Sequence, residues 1–128
     1  MEEKLEKRFD GFVDHIAVES HDLRRDVSEY ERIGFHLDSL YEDWAMLRDS
    51  RGFGVALLGP GSKHPPHMGL RVQSRQELEA AARREGRTTK QHRDRSVSFY
   101  TKGASGRAIE LIYYPPDYDG NQAEAPGD

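Results

Sequence analysis

The stretch FVDHIAVESHDLRRDVSEYERIG, residues 12 to 34, decides the fold, because it joins a strand-like segment to a helix-like one. Its first part, residues 12–19, is rich in Val and Ile, which is typical of a β-strand. Asp22 can then cap a helix that ends at Gly34. The apolar residues of this helix recur at the helical period and are Leu23, Val27, Tyr30 and Ile33.

The same order of elements returns in HMGLRVQSRQELEAAARREG, residues 67 to 86. A strand-like run is followed by a capping box, Ser74 with Glu77, and by a helix that stops at Gly86. At a constant offset of 52 residues, His15 falls on His67 and Gly34 on Gly86. This agreement indicates an internal duplication.

Three strands follow each predicted helix. They cover residues 35–41, 44–49 and 54–58 in the first half, and residues 87–93, 96–102 and 107–114 in the second half. The sequence therefore predicts an α+β fold of two tandem βαβββ modules that form an open, cleft-containing, barrel-like sheet of eight strands. The predicted domain covers residues 11–118, with modules at 11–60 and 66–118, an N-terminal arm at 1–10 and a flexible tail at 119–128.

Composition narrows the classes of function. The 128 residues carry a net charge of −4, with both signs interspersed, which argues against a nucleic-acid partner. The chain has no cysteine, so a metal site must use imidazole and carboxylate ligands. The charged first residues do not resemble a signal peptide and no apolar run reaches membrane-spanning length, so we expect a cytoplasmic protein without a membrane partner.

Three residues are candidate metal ligands. The duplication places His15 and His67 on the first strands of their modules, so they can face each other across a shared cleft. Glu110 lies in the apolar run AIELIYY, where a bare carboxylate would be costly to bury. Two imidazoles and one carboxylate leave coordination positions open, as a catalytic metal requires. Each residue taken alone is more often structural than a ligand.

The motif HPPH, residues 64 to 67, does not predict a local chelate. Pro65 and Pro66 force an extended path, and this spacing does not align two imidazoles on a strand. We expect His67 to be the ligand and His64 to lie in the loop at the rim of the cleft.

Three segments resemble the signature segments of the vicinal oxygen chelate superfamily: VDHIAVESHDLRRDVSEYERIGF, HMGLRV and AIELIYYPP. This superfamily includes glyoxalase I, extradiol dioxygenases, methylmalonyl-CoA epimerase and the fosfomycin- and bleomycin-resistance proteins, and the resemblance covers residues 12–116. It implies that His15, His67 and Glu110 bind one divalent metal ion (Fe, Mn, Ni, Zn or Co). It also implies a small-molecule substrate that chelates this ion through adjacent oxygens, and a homodimer.

The sequence departs from the glyoxalase pattern at the fourth strand, GVALL. Glyoxalase-like relatives carry a fourth ligand there, whereas the duplication places Leu58 opposite Glu110, and neither Leu58 nor Ala56 can bind a metal. We therefore expect three protein ligands, as in dioxygenases and fosfomycin-modifying enzymes.

Further residues are candidates for the pocket. The segment KQHRDRSVSFY, residues 90–100, resembles the fosfomycin-resistance branch, which implies an anion pocket; its members here are Lys90, Arg93, Ser98 and Tyr100. Tyr100 and His92 are the candidate catalytic residues for proton transfer. Trp44 and Tyr113 either line the cleft, where they would contact substrate, or fill the core.

Besides the fosfomycin-resistance-like transferase that the resemblance of residues 90–100 implies, two other functions stay open on sequence grounds. The first is a bleomycin-resistance-like protein that binds a small molecule without a metal. The second is a structural dimer module with a vestigial site.

Overall fold

The computed structural model describes residues 9–118, so most of the predicted arm and the whole predicted tail lie outside the described residues. The elements follow the predicted order. They are β1 (Gly11–Glu19), α1 (Leu23–Ile33), β2 (His36–Leu40), β3 (Trp44–Arg48), β4 (Gly54–Leu58), β5 (His67–Val72), α2 (Arg75–Arg84), β6 (Lys90–Gln91), β7 (Val97–Lys102) and β8 (Ala108–Tyr113). A short 3-10 turn, Ala104–Gly106, precedes β8. The predicted α+β fold of two βαβββ modules is confirmed.

All eight strands belong to one curled, half-barrel sheet, in the order β2-β3-β4-β1-β5-β8-β7-β6. In each module the last strand pairs in parallel with the first, β4 with β1 and β8 with β5. The two first strands, β1 and β5, pair in antiparallel at the centre of the sheet. This seam between the modules brings their first strands together, as the duplication predicted.

Both helices begin and end as their sequences predict. The Asp22 carboxylate accepts a hydrogen bond from the Arg25 amide, and the left-handed Gly34 ends α1. The Ser74 hydroxyl accepts from the Glu77 amide, while the Glu77 carboxylate accepts from the Gln73 amide, one residue before the cap, rather than from the Ser74 amide of a capping box. Neither helix of residues 9–118 is long and apolar enough to cross a membrane.

Each helix covers one half of the sheet through its own apolar core. Leu23 and Val27 of α1 pack with Leu47 and Leu57 of β3 and β4. On the other half, α2 packs with residues of β7 and β8, namely Leu78 and Ala81 with Val97, Phe99 and Leu111. Because side chains alternate along a strand, the intervening residues face away from the helices, into the cleft.

Strand β6 is shorter than the predicted segment 87–93. His92 and Ser96 close a turn, with the His92 amide donating to the Ser96 carbonyl at 2.8 Å and Arg95 adopting φ 74°. The predicted strand residues beyond Gln91 are therefore used to build this turn.

The single offset of 52 residues holds only for the first part of each module. The pair Trp44–Leu58 of β3 and β4 corresponds to the pair Ser98–Ile112 of β7 and β8, which lies 54 residues further along the chain. Two additional residues therefore lie between α2 and β7. In consequence the residue of β4 that matches Glu110 is Ala56, not Leu58, and it too cannot bind a metal.

Candidate metal centre

The three predicted ligands meet at one point of the cleft. The Nε2 atoms of His15 and His67 are 3.1 Å apart, and Glu110 Oε1 lies 3.2 Å from the first and 3.1 Å from the second. Among the described residues, His15, His67 and Glu110 form one group of side chains whose donor atoms are close enough together to share a metal ion. Their donor atoms form a nearly equilateral triangle.

The sheet register explains why these side chains converge. Gly69 of β5 pairs with His15 of β1 on one side and with Glu110 of β8 on the other. A Cβ atom at Gly69 would overlap the imidazole of His15, so glycine leaves the space in which that ring lies. His67 begins the same strand and pairs with Ala17 of β1.

The two imidazoles present lone pairs to the triangle. The Nδ1–H of His15 donates to Asp14 Oδ2 at 2.8 Å, and the Nδ1–H of His67 donates to the Pro65 carbonyl at 2.7 Å. In their neutral forms both rings therefore carry an unprotonated Nε2. Two such nitrogens and a carboxylate oxygen within 3.2 Å are a donor set that a cation stabilises.

The edges of the triangle fit a transition metal. Ligand bonds of about 2.1 Å put two donors about 3.0 Å apart at a right angle and about 3.4 Å apart at a tetrahedral angle. The observed distances of 3.1 to 3.2 Å lie between these two values. His15, His67 and Glu110 would therefore be able to hold such an ion together, and three protein ligands would leave other positions open to substrate.

Burial and hydrogen bonding act in opposite directions on the pKa values of the site. Burial disfavours the charged form of His15, but its hydrogen bonds to Asp14 and Glu110 outweigh this effect and raise the pKa of His15 to about 9. Burial also opposes the ionised form of Glu110, yet His15 and His67 hold the pKa of this carboxyl well below its usual value. The site is therefore strongly polarised although all three side chains are buried.

A β-bulge adds a residue that the sequence analysis missed. The register of β1 against β5 shifts between Val13 and His15, so Asp14 also points into the site. Asp14 is buried and contacts Arg48 of β3 as well as the hydroxyl of Tyr114. Burial raises the pKa of Asp14, but His15 and Arg48 outweigh it and keep this pKa below its usual value.

Glu110 is oriented by a second chain of hydrogen bonds. The Ser98 hydroxyl donates to Glu110 Oε2 at 2.7 Å, and His92 Nε2 lies 2.5 Å from the same hydroxyl. Ser98 therefore holds one carboxylate oxygen and leaves Oε1 for the triangle. The side chain of His92, one of the two candidate catalytic residues, is only 8% exposed.

A small cavity that opens to solvent lies over the triangle. Its apolar lining comes from both modules and includes Tyr41, Trp44, Met46 and Ile112. Its polar lining includes His64, whose Nδ1 lies 2.7 Å from the Tyr100 hydroxyl. A small molecule in this cavity would meet the donor atoms at its base and proton-carrying groups at its side.

Arg93, which lines the cavity, connects the second module to the first. Its guanidinium lies 3.8 Å from the centre of the Tyr41 ring and 2.9 Å from Asp43 Oδ1. Both partners belong to the turn between β2 and β3, whereas Arg93 belongs to the turn between β6 and β7.

Some of the other predicted site residues lie at the cavity and others do not. Trp44, His92, Arg93 and Tyr100 line it, and Ser98 lies behind Glu110. Lys90 is exposed and does not belong to the lining. Tyr113 packs instead against the apolar core beneath α2. The tyrosine that faces the cavity is its neighbour Tyr114, because it shares the strand face of Glu110.

The sequence comparisons found no match, whereas the structure comparison found several similar proteins. No family model matches the sequence, and no curated protein matches it. Among solved structures, homoprotocatechuate 2,3-dioxygenase from Arthrobacter globiformis is similar at a TM-score of 0.67 and 17% identity, over 85% of this chain and 41% of that one. The chain thus spans less than half the length of this dioxygenase.

Two other similar structures represent different activities. Methylmalonyl-CoA epimerase from Mycobacterium tuberculosis matches at a TM-score of 0.63 and 20% identity, over 82% of this chain and 89% of that one. The Mn(II)-bound glyoxalase from Novosphingobium aromaticivorans matches at a TM-score of 0.62 and 19% identity, over 79% of this chain and 37% of that one. The chain has the fold of the vicinal oxygen chelate superfamily.

Proposed function

We propose that this chain binds a divalent metal ion through His15, His67 and Glu110. It would act as an enzyme on a small molecule that chelates the ion through adjacent oxygens. The observation that carries the proposal is the triangle of donor atoms, with edges of 3.1 to 3.2 Å, at the base of a cavity. Fe, Mn, Ni, Zn and Co all accept this set of ligands.

The fold alone does not select the reaction, since similar structures include a dioxygenase, an epimerase and a glyoxalase. The number of protein ligands helps to choose between these reactions. Ala56 occupies the position of β4 that matches Glu110, so a fourth protein ligand is missing there. The proposed site therefore has three ligands, as the superfamily resemblance implies for dioxygenases and fosfomycin-modifying enzymes.

The ion would act as a Lewis acid that lowers the pKa of the substrate oxygens it contacts. The residues around it would move protons and exclude water. Tyr100 can give or take a proton at its hydroxyl oxygen, because His64 Nδ1 lies 2.7 Å away. Trp44 and Met46 provide an apolar wall that limits the access of water to the reacting atoms.

Metal analysis of the purified protein tests the proposal. We expect one ion per chain, and we expect His67→Ala and Glu110→Ala to bind less. His36→Ala is a matched control, because His36 is exposed on β2, away from the cavity. A wild-type protein that takes up no stoichiometric divalent metal would overturn the proposal.

Chelation separates the enzyme from the binding-protein alternative. We expect a catechol or an α-hydroxyketone to bind the metal-loaded protein and to lose affinity when the metal is removed. Affinity that is unchanged by a chelator would favour a metal-independent binding protein. The homodimer and the cytoplasmic location remain predictions, and light scattering of the purified chain tests the first.

A further inference from the structure

We infer that Asp14 is a positioning residue that makes His15 the stronger of the two histidine ligands. This inference rests on the proposed metal site. It concerns a difference between the two imidazoles, which the duplication alone would make equivalent.

The bulge in β1 is the first observation. In a regular strand, Asp14 and His15 would point to opposite faces of the sheet. The register shift between Val13 and His15 turns both side chains into the site, where Asp14 Oδ2 lies 2.8 Å from His15 Nδ1. Both residues are only 2–3% exposed, so water competes little with this bond.

The second observation is that the Asp14 carboxylate is itself held from two elements. Arg48 of β3 donates to it with NH1 at 3.2 Å and NH2 at 3.3 Å, and the Tyr114 hydroxyl donates to Oδ2 at 2.9 Å. These contacts fix the orientation of the carboxylate and favour its ionised form. An anion therefore lies behind His15 on the side opposite to the triangle.

His67 has no such anion behind it, because its described Nδ1 contact is not a carboxylate. The offset between β1 and β5 places Pro66 where Asp14 lies in the first module, and proline offers no side-chain acceptor. The Nδ1–H of His67 instead donates to the neutral carbonyl of Pro65 at 2.7 Å. One imidazole thus has a charged partner and the other a neutral one.

The charge of the partner changes the basicity of the ligand nitrogen. A carboxylate that accepts from Nδ1–H draws this proton towards itself and raises the electron density at Nε2 more than a carbonyl does. His15 should therefore contribute more to metal affinity than His67. The ion would be anchored to the first module and held less tightly by the second.

Titration of metal-free protein with Co²⁺ tests this directly, read from the visible absorption of the bound ion. We expect Asp14→Asn to lower the affinity by about 10- to 100-fold, as the loss of such a partner typically does. Asp38→Asn is the matched control, because Asp38 lies 3.8 Å from the same Arg48 guanidinium but does not contact His15. The Co²⁺ affinity of Asp38→Asn should stay at the wild-type value.

A double-mutant cycle shows whether Asp14 acts through His15. Asp14→Asn should lower Co²⁺ affinity in a His67→Ala background and should have no effect in a His15→Ala background. His67→Ala alone should retain tighter binding than His15→Ala alone. Equal losses from the two histidine variants would overturn the inference.

Removing the carboxylate also leaves Arg48 without its main partner, which could unfold the variant. The pair Asp14→Asn with Arg48→Gln removes both charges and keeps the test valid. Affinity that returns to wild type in this pair would show that Asp14 only neutralises Arg48, and would refute the inference. If wild-type protein itself fails to bind Co²⁺, the proposed function fails instead.

Discussion

At the scale of single residues, two glycines create the space for His15. Gly69 lies beside its imidazole, and a Cβ at Gly54 would come within 2.9 Å of the His15 Cβ. Both glycines are in strands that pair with β1, so the neighbouring backbones approach the ligand from each side. Glycine within a strand weakens the sheet, and the need to make room for the His15 side chain explains the glycines at these two positions.

We predict that Gly69→Ala abolishes stoichiometric metal binding, because the new methyl group overlaps the ring of His15 and must displace it. Metal content after dialysis measures this effect. Met68→Ala serves as the control, since Met68 is the adjacent residue but is exposed and belongs to no part of the cavity lining. Full metal content in Gly69→Ala would show that His15 is not a ligand in this position.

We predict that Ser98→Ala lowers metal affinity by about tenfold, because Glu110 Oε2 loses the donor that orients it. Thr101→Val is the matched control variant for Ser98→Ala. It removes an equivalent 2.7 Å bond, from Thr101 to Glu85, on the same strand but on the opposite face. Both variants can lose stability, but only Ser98→Ala should lose affinity in a Co²⁺ titration; an equal loss in both would contradict the orienting role.

At the scale of elements, the alternation along β8 shows what sequence can predict. Glu110, Ile112 and Tyr114 share one face, while Leu111 and Tyr113 share the other. Sequence analysis identified Glu110 correctly as a buried carboxylate, but it left Tyr113 between the cleft and the core and did not name Tyr114. The signal was present, because a period of two places Tyr114, not Tyr113, on the face of Glu110.

Two local features had no such signal. The bulge that turns Asp14 inward depends on how β1 pairs with β5, a strand more than fifty residues away, so the sequence around Asp14 predicts only alternation. The turn that shortens β6 depends on a positive φ at Arg95, and an arginine in the sequence does not predict this conformation. The helices, by contrast, were predicted with their caps, because capping is local.

The cap of α2 can be tested on its own. Ser74→Ala should lower the free energy of unfolding by about 1 kcal/mol, because the Glu77 amide loses its acceptor. Urea denaturation measures this. Ser28→Ala, at an exposed position inside α1, should leave stability unchanged or raise it slightly, since alanine is the better helix former. A cap variant as stable as wild type would mean that water replaces the serine fully.

At the scale of the whole molecule, the duplication predicted the topology and the meeting of His15 with His67. It did so because the first strands of the modules pair around a pseudo-two-fold axis. It misplaced the match for Glu110 by two residues, since the chain between α2 and β7 is longer than its counterpart. Loop lengths vary independently of the repeated elements, so a constant offset cannot follow them.

Arg93 is the contact that joins the edge hairpins of the two modules across the cavity. We predict that Arg93→Gln and Asp43→Asn each speed removal of the bound metal by a chelator, by about twofold to fivefold. The expected effect is modest because the ion pair is partly exposed. Stopped-flow measurement with a coloured chelator gives the rate.

Arg95→Gln is the control for this prediction. Arg95 lies in the same turn and forms an exposed pair with Asp117 at 3.0 Å, away from the lining of the cavity. Its variant should release metal at the wild-type rate. If Arg93→Gln also releases metal at the wild-type rate, the ion pair between Arg93 and Asp43 does not limit access to the ion.

The division of the ligands between modules also bears on how the protein is made. His15 leaves the ribosome with the first module, whose helix and four strands can pack before the second module exists. Glu110 lies in the last strand, so the complete ligand set appears only when almost all the described chain has been synthesised. The proposed three-ligand site can therefore form only after the last strand has been made.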